Sequence, residues 1–151
     1  IVSFPELPNK NNPNLEEWKS FVKKEIEHFK PQIVVCHSLA NILWFHICDE
    51  IDISLEKLML VAPVRNEELN EAKTFFPYPI PSNLKSKEVI MAASTNDPYL
   101  SLDEAINLQS KLNIGMKIME NAGHINTSAG FGKLDCALDW IKRVEECEEN
   151  R

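Results

Sequence analysis

Short apolar segments alternate with longer amphipathic segments along most of the chain, and this alternation limits the fold more than any other feature. Four short apolar runs read as strands, and the first of them reads as a strand buried on both faces. They lie at residues 33–36, 58–61, 89–93 and 116–119. Helical patterns lie at residues 15–29, 38–48, 102–112 and 134–147. Such alternation predicts an α/β fold, with a mostly parallel sheet covered by helices on both faces.

Two further segments complete this organisation. Residues 1–4 are apolar and β-prone, so we expect about five strands in a three-layer sandwich. Residues 65–87 are the least regular part, and their apolar run 75–81 contains three prolines, which exclude a regular element there. The 151 residues, 44% of them apolar, are enough for one domain over residues 1–151.

Charge and cysteine usage exclude several classes of function. The net charge of -7 argues against binding to nucleic acid or to an anionic membrane, and no apolar run is long enough to span a bilayer. The cysteines, which show neither a C-x-x-C pair nor zinc-like spacing, are Cys36, Cys48, Cys136 and Cys147. We therefore expect a cytoplasmic protein with free thiols, no metal and no cofactor.

Three chemically suggestive side chains each follow one predicted strand. Ser38 follows residues 33–36, Asp97 follows residues 89–93, and His124 follows residues 116–119. Because parallel strands end at one edge of a sheet, these side chains are expected to meet there. Neutral His124 would then take the proton of Ser38, while Asp97 would orient the imidazole. The backbone N–H of Leu39 would stabilise the developing oxyanion.

Each of these residues also has a simpler interpretation when it is considered alone. Ser38 could cap the following helix, Asp97 could close an Asx turn, and His124 could be a solvated loop histidine. His37 is expected to point away from the serine. The conjunction of three such residues at three strand ends favours the catalytic interpretation.

The residues that would contact substrate are less sharply defined. Phe75 and Phe76 either wall an acyl pocket or belong to a surface connection, since acyl pockets are mainly apolar. Tyr99 and Asn126, like Asn96, lie near the candidate triad in sequence. They either position substrate or make local turn hydrogen bonds.

Three segments carry a resemblance to a known family. Residues 33–40 resemble a G-H-S-L-G nucleophile segment, residues 93–102 resemble an acid segment, and residues 121–132 resemble a histidine segment. The family is that of the small serine hydrolases, which includes YdeN-like and retinoblastoma-binding serine hydrolases. The resemblance implies a minimal α/β-hydrolase fold that cleaves a small ester, thioester or amide through an acyl-enzyme. It places Ser38, Asp97 and His124 in the triad.

The chain departs from the family pattern in three ways. Cys36 and Ala40 replace the two glycines of the nucleophile turn, which should open the turn slightly. The L-x-C-x-E motif is matched only loosely by residues 46–50, where His46 replaces Leu. The family also begins with a strand, a His-Gly loop and a helix, about 30 residues judged by the size of such a unit, and this unit is not found here. Its loop supplies a second oxyanion donor.

The third departure leaves several alternatives open. The sequence is truncated, another chain supplies the unit, or residues 1–4 pair directly with residues 33–36. The last two alternatives would favour a homodimer or a repaired sheet. A non-catalytic interaction protein that keeps the hydrolase fold is therefore an alternative to a serine hydrolase with a small acyl substrate. A flavodoxin-like nucleotide binder is disfavoured because the chain has four glycines and no glycine-rich phosphate loop.

Overall fold

The computed structural model describes residues 1–65 and 70–149, with side chains for 1–65 and 71–143. Its sheet has four parallel strands in the order β1-β2-β3-β4. The strands are β1 Ile33–His37, β2 Leu55–Val61, β3 Ser86–Ser94 and β4 Gly115–Met119. Each predicted strand from residue 33 onward is confirmed, and the structure extends all four by one or more residues. The expected burial of β1 on both faces is wrong, because β1 is an edge strand of the described sheet and its Val35 is 47% exposed.

The helices also fall where the periodicity predicts them. They are α1 Leu15–Phe29, α2 Leu39–Ile47, α3 Leu102–Leu112 and α4 Asp135–Glu149. The bounds of α1 and α3 agree with the prediction because both helices begin at strong caps: Asn14 accepts from the N–H of Glu17, and Ser101 and Glu104 form a capping box. Among the described helices, none has the length and apolar character needed to cross a membrane.

The irregular passage predicted at residues 65–87 is described only in part. Residues 66–69 lie outside the described residues, as does the side chain of Cys147. Within the passage, the structure has a short 3₁₀ helix at Asn70–Phe75 and no regular element in the proline-containing part that follows. Two more 3₁₀ helices lie at Cys48–Glu50 and Thr127–Ala129.

Side chains that alternate along the sheet build a core on each of its faces. Leu58 and Leu60 pack with α1, α2 and α3 on one face. Met59 and Val61 pack with Trp140 of α4 on the other face. These two cores make the three layers that the sequence predicts for a parallel sheet.

The expected strand at residues 1–4 is wrong. The segment has no strand partner, and Ile1, Val2 and Phe4 are exposed. Ser3 donates its hydroxyl to Glu25 of α1, so the segment is held against a helix rather than in the sheet. An apolar groove of about 360 Å³ lies between this segment and β1. The sheet consequently has four described strands, and direct pairing of residues 1–4 with β1 is excluded.

The strand register brings three loops to the same edge of the sheet. His37 pairs with Val61, Val61 pairs with Ala92, and Ser94 pairs with Met119, so β1, β3 and β4 end close together. The loops that follow these strands contain the three candidate residues of the sequence analysis.

Candidate active site

Ser38 occupies a strained turn between a strand and a helix. It is the single residue between β1 and α2, and its backbone has φ 58° and ψ -122°. A positive φ is costly for a residue with a Cβ and needs support from its surroundings. The support comes from three hydrogen bonds. The Ser38 N–H donates to Val61 O at 3.0 Å, and Ser38 O accepts from Asn41 Nδ2 at 2.9 Å and from Asn41 N–H at 3.1 Å.

The Ser38 hydroxyl makes no capping bond to α2. Its Oγ lies 2.8 Å from Nε2 of His124, a residue 86 positions away in the chain. The helix-cap interpretation therefore does not describe this serine. Leu39 begins α2, so its N–H lies in the first helical turn, where no carbonyl of the helix itself is available as acceptor.

Asp97 both closes an Asx turn and contacts His124, the two roles that its sequence context allows. Its Oδ1 accepts from the N–H of Tyr99 at 2.8 Å, which is an Asx turn. Its Oδ2 lies 2.9 Å from Nδ1 of His124, and Oδ1 lies 3.1 Å from the same nitrogen. The local turn thus fixes the carboxylate while leaving it aimed at the imidazole.

His124 is 8% exposed, so it is not a solvated loop histidine. The ring of Tyr99 lies 4.5 Å from its ring and that of His37 lies 5.1 Å away, both measured between centroids. His37 also donates its Nε2–H to the backbone carbonyl of His124 at 3.0 Å. The residue before the nucleophile therefore packs against the histidine loop, a contact that sequence reasoning did not find.

The hydrogen bonds of His124 assign its tautomer. An ionised carboxylate can only accept, so the proton lies on Nδ1, facing Asp97. Nε2 is then free to accept the hydroxyl proton of Ser38. This is the arrangement in which an imidazole can act as a base toward a serine.

Several residues at this edge of the sheet have a strained backbone. Besides Ser38, positive φ angles occur at Ala62 after β2 and at Asn121, Gly123 and Ile125 in the histidine loop. Gly123 is the position where glycine is needed most, because its φ is 57° and an added Cβ would lie 3.0 Å from the Cβ of Ala129. Such strain is characteristic of functional sites that are held by the surrounding structure.

The four residues proposed from sequence to contact substrate have different environments. Phe75 is 0% exposed and packs edge-on against Trp18 at 5.2 Å, so it belongs to the core and offers no surface to a substrate. Phe76 is partly buried beside Tyr78. Asn126 accepts from the N–H of Ala129, which is the local turn alternative. Tyr99 adjoins the imidazole, with the ring separation given above.

The thiol that lies nearest to Ser38 in sequence does not compete as a nucleophile. Cys36 is buried, and burial raises the pKa of its thiol to about 12. Burial likewise raises the pKa of Cys48 to about 11, with a smaller contribution from Asp49. Thiols with such pKa values stay protonated near neutral pH and are poor nucleophiles.

Comparison with solved structures finds hydrolases of similar fold. A YdeN-like hydrolase from Pectobacterium atrosepticum shares 23% identity, with a TM-score of 0.75 over 90% of this chain and 71% of its own. The ydeN gene product of B. subtilis shares 18% identity, with a TM-score of 0.82 over 92% of this chain and 79% of its own. A monoacylglycerol lipase from Paleococcus ferrophilus shares 10% identity, with a TM-score of 0.56 over 75% of this chain and 68% of its own. No match is found among curated proteins.

These structures share the fold of the chain described above, a parallel sheet between two helical layers. Family membership comes from a separate comparison of the sequence with family models, in which the match runs over residues 5–143. That span includes every strand of the sheet and all three loops at the site. The chain belongs to the serine hydrolase family and is a hydrolase with the α/β-hydrolase fold.

Proposed function

We propose that this protein cleaves a small ester, thioester or amide through an acyl-enzyme, with Ser38 as nucleophile, His124 as base and Asp97 as the group that orients the base. One observation carries the proposal. Ser38 Oγ lies 2.8 Å from His124 Nε2, while His124 Nδ1 lies 2.9 Å from Asp97 Oδ2. This continuous chain of hydrogen bonds is the geometry that activates a serine hydroxyl.

The reaction follows from the positions of the protons. As Ser38 Oγ attacks the acyl carbon, its proton moves to Nε2 of His124, and the carbonyl oxygen becomes an oxyanion. The imidazolium then gives this proton to the departing alcohol, thiol or amine, which leaves the acyl group on the serine. Water, deprotonated by His124, attacks the acyl-enzyme, releases the acid and returns the proton to Ser38.

The N–H of Leu39 supplies one hydrogen bond to the oxyanion, because it lies next to the nucleophile at the start of α2. Tyr99 adjoins the reacting imidazole, and Phe76 is a partly buried aromatic residue of the irregular passage. We assign these two rings to the acyl side of the substrate. The substrate class agrees with the lipase found among the structures of similar fold.

A fluorophosphonate probe tests the proposal directly. The probe phosphonylates an activated serine, so the protein should be labelled and Ser38→Ala should abolish labelling. Ser110→Ala removes an exposed hydroxyl on α3 and is the matched control. Hydrolysis of p-nitrophenyl acetate should follow the same pattern. Absence of Ser38-dependent labelling in folded protein would refute the enzymatic function.

The open edge of the sheet favours a second candidate, a protein-interaction module that keeps the hydrolase fold. Within the described residues, β1 pairs only with β2, and Val35 on β1 is 47% exposed. The groove beside β1 is apolar, and an unpaired edge strand can add a strand from another polypeptide. This candidate predicts that Val35→Lys reduces self-association in sedimentation velocity while Ser38→Ala does not. A monomeric protein at high concentration would argue against a second copy as the partner.

A further inference from the structure

A ring of hydrogen bonds joins the aspartate loop to the histidine loop without involving the triad itself. Ala122 N–H donates to Ser94 Oγ at 2.9 Å, and Gly123 N–H donates to Asn96 Oδ1 at 2.7 Å. Ser94 Oγ donates in turn to Asn96 Oδ1 at 2.9 Å. Two side chains from the end of β3 and the loop after it thereby hold two consecutive backbone amides of the loop after β4.

The histidine loop needs an external constraint of this kind. Asn121, Gly123 and Ile125 all have positive φ, and this conformation is costly for the β-branched Ile125, so the loop needs support at that residue. The sheet pairing ends before these residues, with Thr95 N–H donating to Met119 O at 3.0 Å. The amides of Ala122 and Gly123 therefore depend on side-chain acceptors.

The two amides are placed where they control the imidazole most strongly. Gly123 is the residue immediately before His124, and Asn96 is the residue immediately before Asp97. The bond between Asn96 Oδ1 and Gly123 N thus joins the neighbours of the two residues whose side chains meet at 2.9 Å. This bond therefore ties the backbone next to the imidazole to the backbone next to the carboxylate.

We infer that Ser94 and Asn96 are positioning residues of the catalytic machinery, forming a clasp that fixes the histidine loop against the aspartate loop. The inference rests on the proposed triad, because its effect on the rate is exerted through His124. It assigns to Asn96 a structural partner in another loop, rather than substrate or a bond confined to its own turn. A displacement near 1 Å of a reacting group can slow a reaction by about 100-fold.

Substitutions within the clasp provide the first test. Asn96→Ala removes both acceptor contacts and should slow fluorophosphonate labelling of Ser38 by about 10- to 100-fold. Asn96→Asp keeps an oxygen at the same position and should restore most of the rate. Because its added carboxylate favours the imidazolium, its pH–rate profile should also shift to higher pH. Ser94→Ala should slow labelling, and the double variant should be no slower than the slower single variant.

Thr95 offers a matched control within the same loop. Its Oγ1 accepts from Asn121 N–H at 2.9 Å, which is the same type of bond to the same loop but further along the chain from His124. Thr95→Val should change the labelling rate by less than about threefold. Equal rates for Asn96→Ala and the unsubstituted protein, or equal losses for Asn96→Ala and Thr95→Val, would overturn the inference. Absence of labelling in the unsubstituted protein would instead refute the proposed function.

Amide hydrogen exchange in the unsubstituted protein gives an independent test, because it does not require any variant to fold. The amides of Ala122 and Gly123 lie outside the sheet, yet the clasp should slow their exchange by about 100-fold or more relative to an unstructured chain. Exchange of both amides at unstructured-chain rates would overturn the inference, whatever the activity of the protein.

Discussion

Replacing Asp97 by asparagine tests the proton arrangement of the site with almost no change in shape. The two carboxylate oxygens of Asp97 have different sets of partners: Oδ2 lies 2.9 Å from His124 Nδ1, whereas Oδ1 accepts from Tyr99 N–H and lies 3.1 Å from the same Nδ1. An asparagine offers one acceptor and one donor group. It can therefore satisfy the turn or the correct form of the imidazole, but not both.

Burial decides which orientation the amide side chain favours in the Asp97→Asn variant. If the amide oxygen faces His124, the NH₂ group of the asparagine faces the Tyr99 N–H. Two donors then face each other, and leaving a buried donor unpaired costs about 1–3 kcal/mol. If the oxygen keeps the Tyr99 bond, the NH₂ group faces Nδ1 of His124. Nδ1 must then accept, the proton moves to Nε2, and Nε2 no longer accepts from Ser38.

The expected loss combines two effects. A bias of about 1–3 kcal/mol toward the wrong tautomer leaves at most about one molecule in six with the productive form. The neutral amide also fails to stabilise the imidazolium that forms as Ser38 reacts. In triads of this kind the same substitution lowers kcat by about 10⁴-fold, which corresponds to about 5 kcal/mol.

The assay is the second-order rate of fluorophosphonate labelling, measured from about pH 6 to pH 9 alongside p-nitrophenyl acetate hydrolysis. We expect Asp97→Asn to be slower by about 10³- to 10⁴-fold near neutral pH. Asp103→Asn, which neutralises an exposed aspartate in the first turn of α3, is the control and should react normally. A labelling rate for Asp97→Asn within about tenfold of the unsubstituted protein would refute the tautomer argument.

Three further predictions concern the fold around the site. Phe75→Ala should lower the free energy of unfolding, measured in urea, by about 3–5 kcal/mol, because it leaves a cavity at a fully buried position. An unchanged urea midpoint would contradict the core position of Phe75 and favour a role in the substrate pocket. Iodoacetamide at mildly alkaline pH should modify Cys136 before Cys36, because Cys36 is buried and its pKa of about 12 keeps its thiol protonated. Peptide mass spectrometry would measure the order of modification. The backbone N–H of Ser101 lowers the pKa of Glu104, so its stabilising contribution is complete above pH 4.5 and is lost as the pH falls through the folded pKa. Glu104→Gln should therefore reduce the acid sensitivity of the unfolding midpoint.

The sequence was sufficient to predict most of the fold because its strands are short apolar runs, and the central strand β2 is buried on both faces. Continuous apolar runs such as residues 58–61 identify central strands, and the caps at Asn14 and Ser101 fix where two helices begin. Residues 1–4 have the same apolar character but form no strand. A strand depends on a partner as well as on composition, and this segment is held by α1 through Ser3 instead.

The meeting of Ser38, Asp97 and His124 was predictable because it depends on topology, whereas their supporting contacts were not. Parallel strands end at one edge whatever their side chains, so three strand ends are sufficient to place three residues together. The bonds that join His37 to His124 O and Asn96 to Gly123 N depend on loop conformations with positive φ. Asn121 and Gly123 favour such conformations locally, but local sequence does not indicate which atoms the loop will meet, so these contacts appear only in three dimensions.

Asn41 holds the nucleophile turn, in which Cys36 and Ala40 stand in place of glycine. It is fully buried in a largely apolar helix, which is costly for an amide without partners. Its Nδ2 donates to both Ser38 O and Val61 O, at 2.9 and 2.8 Å, and so ties the turn to β2. Glycine relieves strain at such a turn, whereas this chain stabilises the strained form by hydrogen bonds. The position of Ser38 therefore depends on a side chain one helical turn beyond it.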